Sequence, residues 1–260
     1  GRYQYTGKLG ILSENDRKIV REAMALTGTS SLADTDIRCI SDGQRQTIML
    51  ARAIAQQPQI LILDEPTSFL DINNKLRLLN ILKDLVRNRN IAVIQTLHEL
   101  DLAQRFSDKI LCIRNNKADR IGTPEEIFSG DYISDLYGIT SGTFEPMFGT
   151  VEALRIKGKP QVFVIGGGGS GIPVYRSLQR QGIPFAAGII HENDVEYQVA
   201  KSLASELVAE KAFEPISSDS ISRAFAVMKD CAKVICCIKH FGTMNIGNKR
   251  LLEMFEEKES

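Results

Sequence analysis

Apolar residues recur at helical spacing in "NDRKIVREAMALTG", where Ile19, Val20, Ala23, Met24 and Leu26 share one face and Gly28 suits a left-handed cap. The pattern predicts a helix with one buried face. A second helix is predicted from Gly43 to about Gln57, stopped by Pro58. The run "ILILDEP", Ile60 to Pro66, has the continuous apolar character of a parallel strand covered on both faces. A helix from Asn73 to about Arg87, a strand "IAVIQTL" and a helix from Glu99 to about Phe106 follow, and Asn115-Asn116-Lys117 reads as a hairpin turn. Strand, helix, strand in that order predicts a parallel α/β sheet. The pattern changes after Gly158–Pro160, where a new apolar strand runs into a glycine cluster. Two domains are therefore expected, residues 1–157 and 158–260.

Composition adds limits rather than detail. The chain has 260 residues, 43% hydrophobic and 25% charged, with zero formal net charge, ordinary for a globular protein of roughly two domains. No run approaches the ~20 apolar residues that cross a bilayer, and "GRYQYTGKLG" lacks a signal-peptide core, so a cytoplasmic location is expected. The absence of a long basic run argues against a nucleic-acid partner. Five cysteines with no C-x-x-C pair imply reduced, mostly buried thiols. Cys236 and Cys237 are adjacent in an apolar strand, point to opposite faces and are expected to pack in a core.

The candidate chemistry lies at strand ends and one helix start. Asp64 and Glu65 sit at the carboxyl end of a buried strand, where open α/β sheets bind ligands. There Asp64 suits a magnesium ion, and Glu65 suits orienting an attacking water in phosphoryl transfer. Ser41 and Gly43 open a helix whose free N–H groups favour an anion, although an ordinary N-cap reads the same way. His98 follows the next strand, within reach of Glu65, and could bond a γ-phosphate and sense its loss.

Taken together, Ile40-Ser41-Asp42-Gly43-Gln44, the strand "ILILDEP", "TSFLD" with Ser68 and Asp71, and "TLHEL" resemble the signature, Walker B, D-loop and switch histidine of ABC-transporter ATPases. The resemblance covers residues 1 to about 130. "LADTDIR", "SDGQRQTIMLARAIAQ" and "IGTPEEIF" resemble the branch that takes up iron–siderophore complexes and cobalamin. It implies a partial P-loop NTPase domain with a helical subdomain, and ATP held with Mg2+ between two subunits of a homodimer. It further implies a transmembrane permease and a substrate-binding protein as partners, placing the subunit on the inner face of the plasma membrane. Catalytic roles then fall to Glu65 and His98, the metal to Asp64, and nucleotide contacts to Ser41, Gly43, Gln44, Ser68 and Asp71. Asp42 stands where the commonest signature has glycine, and its side chain is expected to point away. No G-x-x-x-x-G-K-[ST] segment occurs in these 260 residues. The chain is accordingly expected to be the carboxyl part of a longer polypeptide, inactive alone. The alternative is a non-hydrolysing regulatory protein.

The carboxyl half reads as a small Rossmann-like parallel α/β domain. Gly166, Gly168 and Gly171 satisfy G-x-G-x-x-G between a strand and a helix, and Glu192 and Asp194 follow the second strand where an acid would meet a ribose. NAD(P) or another nucleotide is the expected ligand, with close helix–strand packing as the plain alternative. The loop from His240 to Asn248 should reach the same edge, so that three loops line one pocket.

Overall fold

The computed structural model of the chain describes residues 1–7, 10–146 and 148–259. The chain divides into two compact units, Gly1–Leu111 with Ile121–Pro124, and Cys112–Arg120 with Glu125–Ser260.

The first unit runs α1 (Glu14–Thr27), α2 (Asp42–Ile54), β1 (Ile60–Leu63), α3 (Ile72–Arg89), β2 (Ala92–Gln95) and α4 (Leu100–Phe106). Each long helix begins on a side-chain cap that satisfies otherwise unpaired N–H groups. Ser13 and Asp16 form a reciprocal capping box on α1, and Gly28 ends that helix at φ +64°. Ser41 and Gln44 form the same box on α2. Asp71 caps α3, accepting from the Asn74 N–H at 2.9 Å. The second helix ends at Ile54, short of the expected Gln57, because the chain turns at Gln57 with φ +53°. The strands pair in parallel from Ile60↔Ala92 to Leu63↔Gln95. Leu50, Ile54, Leu61, Leu78, Leu82, Leu85 and Leu102 form the core beneath them.

That core covers one face only, which corrects the expectation of a strand buried on both. Leu61 is buried, whereas Ile60 is 57%, Ile62 74% and Ile94 58% exposed. Alternate side chains of a strand point to opposite faces, so burying Leu61 turns its neighbours outward. Next comes the hairpin β3 (Ile110–Arg114) and β4 (Lys117–Gly122), turning on Asn115 and Asn116 at φ +50° and +59°. Two successive positive φ values are what a two-residue type I′ turn requires, and Asn tolerates them.

Downstream lie α5 (Pro124–Ile127), α6 (Tyr132–Tyr137), an antiparallel hairpin of β5 (Gly142–Glu145) and β6 (Thr150–Ala153), β7 (Val162–Ile165), α7 (Ile172–Arg180), β8 (Phe185–His191), α8 (Val195–Leu203), β9 (Glu206–Glu210), α9 (Ser218–Met228), β10 (Lys233–Cys236) and α10 (Ile246–Glu259). Four parallel strands form one sheet in the order β10-β7-β8-β9. Val162, Val164, Phe185 and Ala187 pack toward α7 and α8, while Phe163, Ile165 and Ala186 pack toward α9 and α10. This alternation buries β7 on both faces, the pattern of a parallel sheet between helical layers. The β5–β6 hairpin packs on α8, and Arg176 of α7 pairs with the largely buried Glu152 of β6. The unit therefore begins upstream of the Gly158 punctuation.

The cysteines depart from expectation. Cys112 is buried, Cys231 and Cys237 are half-buried, and Cys39 and Cys236 are exposed. Cys236 lies on β10, at one end of the strand order among the described residues.

Candidate functional site

At the carboxyl edge of β1 and β2, Asp64, Glu65 and His98 come together. His98 Nε2 lies 2.8 Å from Glu65 Oε1, and the Ser68 hydroxyl donates to Glu65 Oε2 at 2.9 Å. Glu65 adopts φ +44°, a backbone region that a side-chain-bearing residue seldom occupies and that clusters at functional turns. The bond from His98, then that from Ser68, holds the Glu65 carboxyl below the usual range. The same bond raises the His98 pKa, because it favours the charged ring. Since a carboxylate only accepts, His98 Nε2 carries the proton, leaving Nδ1 facing elsewhere.

Sequence reasoning passed over the residues that brace this turn. Thr96 donates from its hydroxyl to Asp64 Oδ1 at 2.7 Å and accepts from the Glu65 N–H at 2.7 Å. Glu99 accepts from the buried Thr67 hydroxyl at 2.9 Å and from Lys75 at 2.6 Å. Gln46 of α2 donates to the Pro66 carbonyl at 2.5 Å, tying that helix to the turn. A polar residue closing an apolar strand, as Thr96 does two places before His98, is the signal that could have flagged it.

Ser41, Gly43 and Gln44 line a cavity of about 320 Å³, with Thr47, Asn74 and Arg77 on its wall. The Ser41 hydroxyl accepts from the Gln44 N–H at 3.2 Å, so it acts as a helix cap here. A Cβ on Gly43 would meet Leu70 Cδ2 at 3.1 Å, tight against the turn that follows Ser68. Asp42 turns outward to Arg45 at 3.2 Å, clear of the cavity wall. Asp71 is engaged as the α3 cap. Among the described residues no group of three or more metal-binding side chains forms a cage. Asp64 alone fits magnesium only when phosphates and water supply the other ligands, the ordinary arrangement for that ion.

In the second unit a cavity of about 390 Å³ opens at the carboxyl edge, lined by Gly168, His191, Asn193, Asp194, Val195, Phe213 and Met244. Three loops meet there as expected, and the segment after β9 adds Phe213. The glycine loop itself is closed. The Gly168 N–H donates to Asp194 Oδ2 at 2.7 Å, and the Gly171 N–H donates to Glu196 Oε2 at 2.9 Å. Glu196 is fully buried and also receives the Tyr175 hydroxyl. A Cβ on Gly166 would stand 1.9 Å from Glu196 Oε1, so this glycine serves close packing. Glu192 is exposed and outside the cavity lining. These residues do not fit NAD(P): carboxylates hold the amides that a pyrophosphate would need.

Residues 4–68 match the family model for ABC transporters, and residues 185–260 match that of the MJ0874 family. The uncharacterized ABC transporter ATP-binding protein MJ0873 of Methanocaldococcus jannaschii is 41% identical over 180 residues, 68% of this chain and 62% of that one. The cobalamin import ATP-binding protein BtuD of Halobacterium salinarum is 31% identical over 245 residues, 90% of this chain and 61% of its own. The chain thus spans about three fifths of the length of these relatives. A solved ABC transporter in an inward-facing conformation aligns at 28% identity and TM-score 0.50, over 53% of this chain and 54% of that one.

Proposed function

We propose, from the premise that this chain belongs to the ABC-transporter ATPase family, that its first unit is the signature-bearing portion of a subunit that hydrolyses ATP to drive chelate uptake. The observation that carries this reading is the 2.8 Å bond between His98 and Glu65 beside Asp64 at one sheet edge. Relatives named for cobalamin, petrobactin and ferric enterobactin transport favour an iron–siderophore or cobalamin-type cargo. A homodimer on a transmembrane permease fed by a substrate-binding protein, at the inner face of the plasma membrane, is the assembly in which it would work.

Asp64 would hold a phosphate-borne magnesium ion, whose charge offsets the negative charge that develops on the transferred group. Glu65, kept ionised by its two hydrogen bonds, orients the attacking water. Its lowered pKa makes it a weak proton acceptor and a good positioner, which is what a loose phosphoryl-transfer transition state asks for. His98, held by Glu65 and biased toward its charged form, presents Nδ1–H to a terminal phosphate. Ser41 and Gly43 at the head of α2 face a nucleotide carried by the other subunit, where helix N–H groups and dipole favour anionic oxygens. Ser68 and Asp71 border the same interface.

The test is hydrolysis. The 260-residue chain, which contains no lysine-bearing glycine loop, should release phosphate from ATP no faster than its Glu65→Gln variant. Joined to the amino-terminal segment of the Methanocaldococcus relative it should hydrolyse ATP, and Glu65→Gln should then lower the rate by about 10²-fold or more while ATP still binds. Equal rates in the joined protein and its variant would refute the assignment.

A further inference from the structure

The cavity of the second unit carries an inference that is independent of the ATPase reading. Its glycine loop has the form of a phosphate cradle, but four of its N–H groups are engaged. Gly168 N–H bonds Asp194, Ser170 N–H bonds the Gly167 carbonyl, Gly171 N–H bonds the buried Glu196, and Ile172 N–H bonds the Gly169 carbonyl. Pro173, in the first turn of α7, has no N–H to offer. Two carboxylates stand at the loop, and among the described residues no lysine or arginine lines the cavity. A phosphate there would meet two carboxylates with no cationic side chain in the lining to offset them, an unfavourable approach of like charges.

What the cavity offers instead is acceptors and an apolar wall. Asp194 Oδ1 accepts from the Glu196 N–H and Oδ2 from the Gly168 N–H, leaving an outward lone pair on each oxygen. Two acceptors on one carboxylate match two adjacent hydroxyls. His191 Nε2 donates to the Glu214 carbonyl at 2.9 Å, which leaves Nδ1 as a further acceptor in the neutral ring. Phe213 is held at φ +63°, a backbone region costly for an aromatic residue, and the residue is 80% exposed, lining the cavity with Met244 and Val195. The cavity lies at the carboxyl edge of the parallel sheet β10-β7-β8-β9, the edge at which such sheets bind ligands.

We propose that the second unit binds a phosphate-free nucleoside, its vicinal hydroxyls on Asp194 and its base against Phe213, and that Asp194 and Glu196 exclude nucleotides from the same cavity. Both carboxylates thus have a double part: they tie the loop to α8 and set the ligand class.

Calorimetric titration of the full chain with adenosine, AMP and NAD tests this. Adenosine should bind one per chain, and AMP and NAD at least tenfold more weakly. Phe213→Ala should weaken adenosine about tenfold, the loss of one base–aromatic stack. Asp194→Asn retains a good helix cap and should lower adenosine affinity at least tenfold while narrowing its advantage over AMP. Thermal melts of the two variants close to the parent's exclude unfolding as the cause. The proposal is overturned if AMP or NAD binds as tightly as adenosine, if none of the three binds, or if Phe213→Ala leaves adenosine affinity unchanged.

Discussion

Glu65 and His98 fix each other's charge. The bond raises the folded-state pKa of His98, so its contribution is fully present at low pH and is lost as pH rises through that raised value. It lowers that of Glu65, whose contribution is present above the ordinary carboxylate range and is lost as pH falls through the lowered value. The charged pair therefore exists between those two limits. Both side chains are largely in solvent, so the effect on stability is small and the effect on titration is the readable one. Glu65→Gln should bring the His98 pKa back toward that of a free imidazole, followed by NMR of the ring protons. An unchanged titration would mean that the bond does not form in solution. At this scale the sequence pointed to two acids and a histidine that the structure brings to one sheet edge. Thr96 was hidden because its role depends on two parallel strands lying in one register, which no local pattern encodes.

At the scale of elements, the same residues serve folding and chemistry, and substitution can separate the two. Ser41 caps α2, and Ser41→Ala should destabilise the first unit by about 1 kcal/mol. Asn caps nearly as well, so Ser41→Asn should keep the melting temperature while removing the hydroxyl proposed above to face nucleotide. In the joined protein described above, lost hydrolysis with retained stability would assign that hydroxyl to the nucleotide, and retained hydrolysis would make it a cap alone. The glycine loop behaves differently. Gly166→Ala would drive a methyl into the fully buried Glu196, and overpacking of this kind costs about 1–3 kcal/mol, to be measured by denaturant unfolding. The helices from Glu14, Asp42 and Ile72 and the Asn115–Asn116 turn were legible because spacing and caps are local signals. The closure of the loop was not. Glu196 reads as an ordinary acid in the first turn of a helix, and only the fold brings it under Gly171, 25 residues away.

At the scale of the whole molecule, the first unit holds a two-stranded sheet with one covered face, and Ile60, Ile62 and Ile94 form an exposed apolar strip on the other. Such a strip on paired strands is an adhesive surface. Replacing Ile62 and Ile94 together by Thr should reduce self-association in sedimentation and lower the fluorescence of a bound hydrophobic dye. Because those positions are already in solvent, the melting temperature should change little. An association constant unaffected by the double change would place the contact elsewhere. One consequence reaches beyond the test tube. Wherever this strip goes unclothed, chaperones and proteases have a handle on the polypeptide, so its lifetime in a cell would track how promptly something settles over those isoleucines.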